Sequence, residues 1–195
     1  MKTLTKKTII VGIGGGIAAY KTCELVRRLV KAGADVHVIL TQAANQFVTP
    51  LTLQTLSQNP IHTDLFDITQ EQKIGHIALA TRADLIVIAP ATADLIAKAA
   101  HGLANDLLTN VLLATRAPVL FCPSMNVAMW EHRATQENLK RLKKLKYHVM
   151  NPASGELACG TEGQGRLCEP QQILDQSQQI LDIGQKGPRI KKTRQ

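Results

Sequence analysis

Six short apolar runs rich in β-branched residues recur along the chain: TIIVGI (8–13), VHVIL (36–40), PIHT (60–63), DLIVIAP (84–90), PVLFC (118–122) and YHVM (147–150). They are continuous more than alternating, PIHT being the weakest, and continuity is what parallel strands buried on both faces require. Helical patterns fill the gaps. In IAAYKTCELVRRLVKAG, Leu25/Leu29 and Val26/Val30 stand at helical spacing and Gly33 offers a C-terminal stop. Further helices are expected over 43–57, 92–100, 104–115, 133–146 and 170–183. Strand and helix in regular succession predict an α/β chain with right-handed crossovers and about six parallel strands.

That pattern is a Rossmann-like, three-layer, doubly wound sheet, and 195 residues suit one such domain, read here as 1–184. Residues 185–195 read as a basic flexible tail or linker. The stretch 151–169 breaks the pattern, with four glycines and no periodicity. Loops of that length usually serve a function or lack order.

Hydrophobic residues make up 45% and charged residues 19%, an ordinary globular balance. Aromatics at 3% argue against a base-stacking platform. The net charge of +8 is concentrated in Lys186, Arg189, Lys191, Lys192 and Arg194 and in Lys140, Arg141, Lys143, Lys144 and Lys146. These read as a solvated tail and a solvated helix face, so no nucleic-acid partner is expected, while a small anionic substrate stays compatible. No apolar run approaches the ~20 residues needed to span a bilayer. Cys23, Cys122, Cys159 and Cys168 show no close pairing, so free thiols in a reducing cytoplasm are expected, with no metal site.

In open α/β sheets ligands bind beyond the carboxyl ends of the strands. The segments that follow the strands are GIGGGIAAYK, Thr41, PATAD (90–94) and PSMN (123–126), which should therefore converge on one edge. The glycine loop fails the dinucleotide pattern: its third glycine position is Ile17, and the acidic residue expected after the second strand is replaced by Thr41, with Asp35 at the strand's other end. A glycine loop ahead of a helix still cradles a phosphate, and a mononucleotide such as FMN fits better than NAD. The P-loop pattern is absent. Three residues invite chemistry: His76, Asn126 and Cys159, the last inside the glycine-rich stretch. Asn126 is bracketed by Met125 and Met129, which predicts an amide emerging into an apolar cavity.

GGGIAAYK (14–21), GHIALATRAD (75–84), PATADLIAKAAHGLANDLL (90–108), PSMNVAMW (123–130) and LACGTEGQGRL (157–167), in this order, resemble the flavin-containing cysteine decarboxylases. Within that family the resemblance points to those acting on 4'-phosphopantothenoylcysteine in coenzyme A biosynthesis, and covers about residues 6–183. It implies FMN among Gly15, Gly16, Ile17, Thr41, Pro90, Ala91, Thr92, Ala93 and Asp106, without a metal. It implies that His76 is catalytic, that Asn126 holds the carboxylate of the cysteine moiety with Met125 and Met129 shaping the pocket, and that Cys159 closes over the substrate as a proton donor.

The implied chemistry oxidises the cysteinyl portion to a thioaldehyde, which gives the departing carboxylate an electron sink, then reduces the product to 4'-phosphopantetheine. A homotrimer, or a larger trimer-based assembly, is implied, with His76 reaching a neighbour's site. A ligase domain or a partner protein would supply the substrate; that activity is not expected in this chain. Lys21, Arg82 and Arg166 stay open as the residues that bind the substrate phosphate. Peptidyl-cysteine decarboxylation, flavin prenyl transfer and a non-enzymatic flavin-binding regulatory role are the alternatives.

Overall fold

A strand covered on both faces places successive side chains in opposite cores, and β1 (Thr8–Ile13) does so: Ile9, Val11 and Ile13 enter one core and Ile10 the other. The computed structural model describes residues 4–65, 75–156, 160 and 162–186. Within them, β1, β2 (Asp35–Leu40), β3 (Ile61–His62), β4 (Leu85–Ala91), β5 (Val119–Pro123) and β6 (His148–Val149) form one sheet in the order β3-β2-β1-β4-β5-β6. Every pairing in it is parallel. The expected six-stranded, doubly wound architecture is the one observed.

The chain winds outward from β1 in one direction through β2 and β3, then restarts at β4 and winds the other way. One face is covered by α1 (Ala19–Lys31), α2 (Pro50–Ser57) and, from the end of the chain, α8 (Pro170–Lys186). The other is covered by α3 (His76–Arg82), α4 (Ala93–His101), α5 (Leu107–Ala114) and α7 (Arg133–Lys144), with α6 (Val127–Glu131) between β5 and α7. Helix α1 ends as its sequence suggests. Gly33 adopts φ +92°, its N–H donates to Val30 O (2.9 Å), and the Ala34 N–H reaches back to Leu29 O (3.1 Å). The buried Thr22 hydroxyl donates to Ala89 O (2.8 Å) and ties α1 to β4.

Three elements depart from expectation. The helix expected over 43–57 is a single 3-10 turn at Ala44–Gln46 followed by α2. Pro50 enforces the break: it holds Thr49 extended (ψ 148°), and the Thr49 side chain then caps the new helix at Thr52 N. Helix α6 went unread because five residues carry no periodicity. The stretch 151–169 is also not a bare loop. It contains an antiparallel hairpin, β7 (Ala153–Glu156) and β8 (Glu162–Arg166), separate from the main sheet. Of the tail expected at 185–195, Gln185 and Lys186 belong to α8 and the rest lies outside the described residues.

The core is dense around β5. Phe121 is fully buried, with its ring 5.5 Å from that of Tyr147. Phe121→Ala is expected to lower the unfolding free energy by about 3–5 kcal/mol, the usual cost of emptying a buried aromatic site. Equilibrium denaturation with an unchanged m-value checks this.

Candidate active site

Backbone hydrogen bonds knit the carboxyl ends of β1, β2, β4 and β5 into one continuous edge. Thr41 N–H and the Thr41 hydroxyl both donate to Ile13 O (3.2 and 2.9 Å). Gly14 N–H donates to Pro90 O (3.1 Å), and Ser124 N–H to Ala91 O (3.1 Å). Met125 N–H donates to Gly165 O (3.0 Å), which brings the hairpin to the same edge. The convergence expected of the glycine loop, Thr41, PATAD and PSMN is therefore present, at the point where the strand order reverses.

The glycine loop has the shape of an oxyanion cradle. A Cβ on Gly15 would overlap the Ala43 side chain and lie 2.9 Å from the Ala43 carbonyl carbon, and one on Gly14 would lie 2.6 Å from Pro90 O. These two glycines let the loop pack flat against its neighbours. Gly16 is different: its Cβ would meet only Thr92 Cγ2, at 4.0 Å. Helix α1 starts without a side-chain cap at Ala18, and the first bonds of its opening turns are donated by Ala19, Tyr20 and Lys21. The N–H groups just ahead of Ala19 therefore precede the helical ladder, the arrangement in which helix N-termini hold phosphates. The cradle suits the phosphate of a mononucleotide.

Several candidate residues have structural work of their own. Thr92 caps α4 by accepting from Leu95 N–H (3.3 Å), and Ala93 opens that helix. Pro90 and Ala91 are buried and contribute their carbonyls to the edge. Asp106 caps α5 in a capping box: its Oδ1 accepts from Thr109 N–H (2.8 Å) and its Oδ2 lies 3.8 Å from Lys98 Nζ. Ile17 is 58% exposed at the mouth of the edge.

Asn126 caps α6, with Oδ1 accepting from Ala128 N–H (2.8 Å), so its orientation is fixed by the short helix that follows it. Its neighbours do not bracket it alike: Met125 is 9% exposed and packs in the core, whereas Met129 is 49% exposed. Trp130 is also a core residue, and its indole N–H donates to Gln164 Oε1 (3.1 Å), pinning the hairpin to α6. Gly163 sits so close to α6 that a Cβ there would lie 2.9 Å from Val127 Cγ2.

His76 comes from the opposite helical layer. At the far end of α3, Arg82 reaches Asp35 (3.6 Å) and His37 (3.5 Å) in the first half of β2, at the amino edge of the sheet. Seven helical residues rise about 10 Å, which directs the half-buried His76 back toward the carboxyl edge. The hydrogen bonds that knit that edge do not include it. Arg82 is thereby removed from the ligand edge. Lys21 and Arg166 instead line one cleft of about 360 Å³ with Ile17, Tyr20, Ser124 and Glu156.

Cys159, between β7 and β8 in sequence, lies outside the described residues. The other three cysteines are free thiols, each pushed up in pKa chiefly by burial, Cys122 well above its ordinary value. Such thiols are poor nucleophiles and read as packing. Among the described residues no group of three or more His, Cys, Asp or Glu side chains could hold a metal ion, and no helix is long and apolar enough to cross a membrane.

The family model described as Flavoprotein matches residues 1–182. The chain belongs to the Flavoprotein family. Among curated relatives of this family member, the coenzyme A biosynthesis bifunctional protein CoaBC of Vibrio cholerae is 52% identical over 174 residues, 89% of this chain and 44% of the relative. The chain thus spans less than half the length of the curated relatives it matches. Among solved structures, a mutant PPC decarboxylase complexed with pantothenoylaminoethenethiol superposes with a TM-score of 0.81 at 29% identity, covering 91% of this chain and 99% of that one. The FMN-binding protein AtHal3 gives 0.78 at 29%, covering 91% and 98%.

The sequence reading missed Gln164 as the anchor of Trp130, and Glu169, which pairs with Lys21 at 2.8 Å. Neither had a local signal, because the partners lie 34 and 148 positions apart.

Proposed function

We propose that this chain carries out FMN-dependent decarboxylation of 4'-phosphopantothenoylcysteine to 4'-phosphopantetheine. The observation that carries the reading is the convergence of the phosphate cradle, the 90–93 turn, the Asn126 segment and the β7–β8 hairpin on one sheet edge. Relatives named for coenzyme A biosynthesis and for PPC decarboxylase support it.

In this reading Gly15, Gly16 and Ile17 receive the FMN phosphate, and Thr41 and residues 90–93 shape the adjoining wall. Asp106 is included by position, its carboxylate already serving α5. Bound there, FMN supplies a reversible two-electron oxidation that creates an electron sink beside the departing carboxylate. Asn126, oriented by its cap on Ala128, holds that carboxylate; Met125 backs it from the core and Met129 faces the open side. His76 moves a proton at a ring nitrogen, and Cys159 delivers one from its thiol late in the reaction.

We place the chain in a homotrimer in which His76 serves a neighbour's site. The exposed apolar side chains of Ile77 on α3 and Leu113 on α5, 57% and 63% accessible, support such burial between copies. The substrate would come from a ligase domain or partner protein, in the cytoplasm. Mass spectrometry of the purified, FMN-loaded protein with 4'-phosphopantothenoylcysteine is the test, with loss of one CO2 and appearance of 4'-phosphopantetheine expected. Bound flavin with intact substrate would sink the reading for this chain.

A further inference from the structure

We propose that Lys21 and Arg166 form the subsite for the phosphate of the substrate, and that Glu169 is a placeholder anion that occupies Lys21 until that phosphate displaces it. The inference rests on the decarboxylase reading for the identity of the ligand and on this chain's own geometry for the site.

Lys21 stands in the first turns of α1, only 17% exposed, with its ammonium 2.8 Å from Glu169 Oε1. The Lys21 stem is largely covered, but its bond to Glu169 lies at the exposed face of the cleft, so the pair is weak and readily exchanged for a stronger anion. Glu169 is a partner that can leave: its side chain is 58% exposed and returns to water without a desolvation penalty. The Lys21 hydrogen bond, with the charges of Lys21 and Arg166, holds the Glu169 carboxyl below its ordinary pKa, so it stays charged while it waits.

Arg166 is positioned separately. It ends β8, and its side chain lies across Gly155 of β7, where a Cβ would come within 2.8 Å of Nη1 and 3.4 Å of Cδ. Gly155, at φ +141°, leaves the room that lets the guanidinium lie along the hairpin into the cleft it shares with Lys21. The hairpin is in turn fixed to the Asn126 segment by Met125 N–H on Gly165 O and by Trp130 on Gln164. Arg166 and Asn126 therefore belong to one unit, and Lys21 lines the same cleft as Arg166.

The cleft has the chemistry for a phosphate monoester dianion. Arg166 offers a planar fork for two oxygens and Lys21 a point charge, while Tyr20 and Ser124 add hydroxyls at its wall. Glu156 lines the same cleft, and its carboxylate repels an anion, which leaves the side bearing Lys21 and Arg166 as the place for a phosphate. Exchanging the monoanionic Glu169 for a dianion leaves Lys21 better paired than before. A C-terminal cysteine peptide without a phosphate offers no such exchange.

The test uses the FMN-loaded protein and its Lys21→Met, Arg166→Gln and Glu169→Gln variants. kcat/KM is compared for 4'-phosphopantothenoylcysteine and pantothenoylcysteine, inorganic phosphate is titrated calorimetrically in phosphate-free buffer, and flavin is quantified by absorbance. Removing either cation is expected to cut the preference for the phosphorylated substrate by at least about tenfold, through KM, with flavin retained. Glu169→Gln is expected to tighten inorganic phosphate binding severalfold.

An unchanged preference in both cation variants would overturn the subsite. Loss of flavin in either one would do the same, since the cations would then serve the cofactor's phosphate. Weaker phosphate binding in Glu169→Gln would overturn the placeholder role and make Glu169 a support for Lys21. If the wild type turns over neither substrate, the decarboxylase reading fails, and the phosphate titrations still decide whether Lys21 and Arg166 bind an anion.

Discussion

Replacing His76 with Asn is expected to lower turnover by about 10³-fold, within the range general acid–base groups contribute, while the flavin-to-protein ratio stays at the wild-type value. The reason lies in what the imidazole does not do for the fold. Helix α3 is held by the buried Leu79 and Ala80 and by the Thr115 hydroxyl on Ala80 O (3.1 Å). His76 is half-buried at the first position of the helix, following an extended Gly75. Histidine and asparagine have similar helix propensities at this first helical position, so the substitution should change unfolding free energy by less than about 0.5 kcal/mol. Nor does His76 belong to the bonds that assemble the glycine loop, Thr41 and the 90–93 turn. Activity should fall with stability and flavin intact. Product formation by mass spectrometry, with flavin absorbance and denaturation in parallel, gives the answer. A colourless variant would mean that His76 supports the cofactor site, and a fully active one would remove it from catalysis.

The placement of these groups was legible in the sequence where it followed from the sheet. Once the apolar runs are read as parallel strands, everything after a strand must meet at the carboxyl edge, and Gly15, Thr41, Pro90 and Asn126 do so. What the sequence hid was pairing between distant positions. The stretch 151–169 has no alternation because its hairpin is held from outside: Trp130 binds Gln164, and Met125 binds Gly165. Gly163 permits close approach to Val127, and Gly155 to Arg166. Likewise PSMNVAMW reads as a pocket wall around an amide, yet its tryptophan faces the core and its asparagine first caps a helix. Both roles emerge only on folding, since a five-residue helix leaves no periodic trace. Of the three candidate phosphate ligands, only folding separates Arg82, drawn to Asp35 at the opposite edge, from Lys21 and Arg166.

Two adjacent glycines should fail in different ways. Gly15→Ala adds a methyl that overlaps Ala43, and the obstacle is partly backbone, with the Ala43 carbonyl carbon at 2.9 Å. That backbone cannot easily retreat. Thr41 locks it to β1 through Ile13 O, and the Ala44 N–H donates to Thr41 O (2.9 Å). The expected cost is about 1–3 kcal/mol of stability, the range for overpacking a close contact, accompanied by loss of flavin. Gly16→Ala meets only Thr92 Cγ2 at 4.0 Å, an ordinary contact, so stability should stay within about 0.5 kcal/mol of wild type. Yet the methyl would project into the open face of the cradle, where a phosphate must approach the N–H groups ahead of Ala19. FMN affinity is therefore expected to drop by at least about tenfold in a protein that is otherwise folded, as one lost charge-assisted contact would suffice to produce. Denaturation curves paired with flavin titrations separate the two effects. Should Gly16→Ala hold FMN as tightly as the wild type, the cradle ahead of α1 is not where the phosphate sits. Should Gly15→Ala prove neutral in stability, the loop is free to move away from Ala43, and the close packing between β1 and β2 that defines this edge contributes less than its geometry implies.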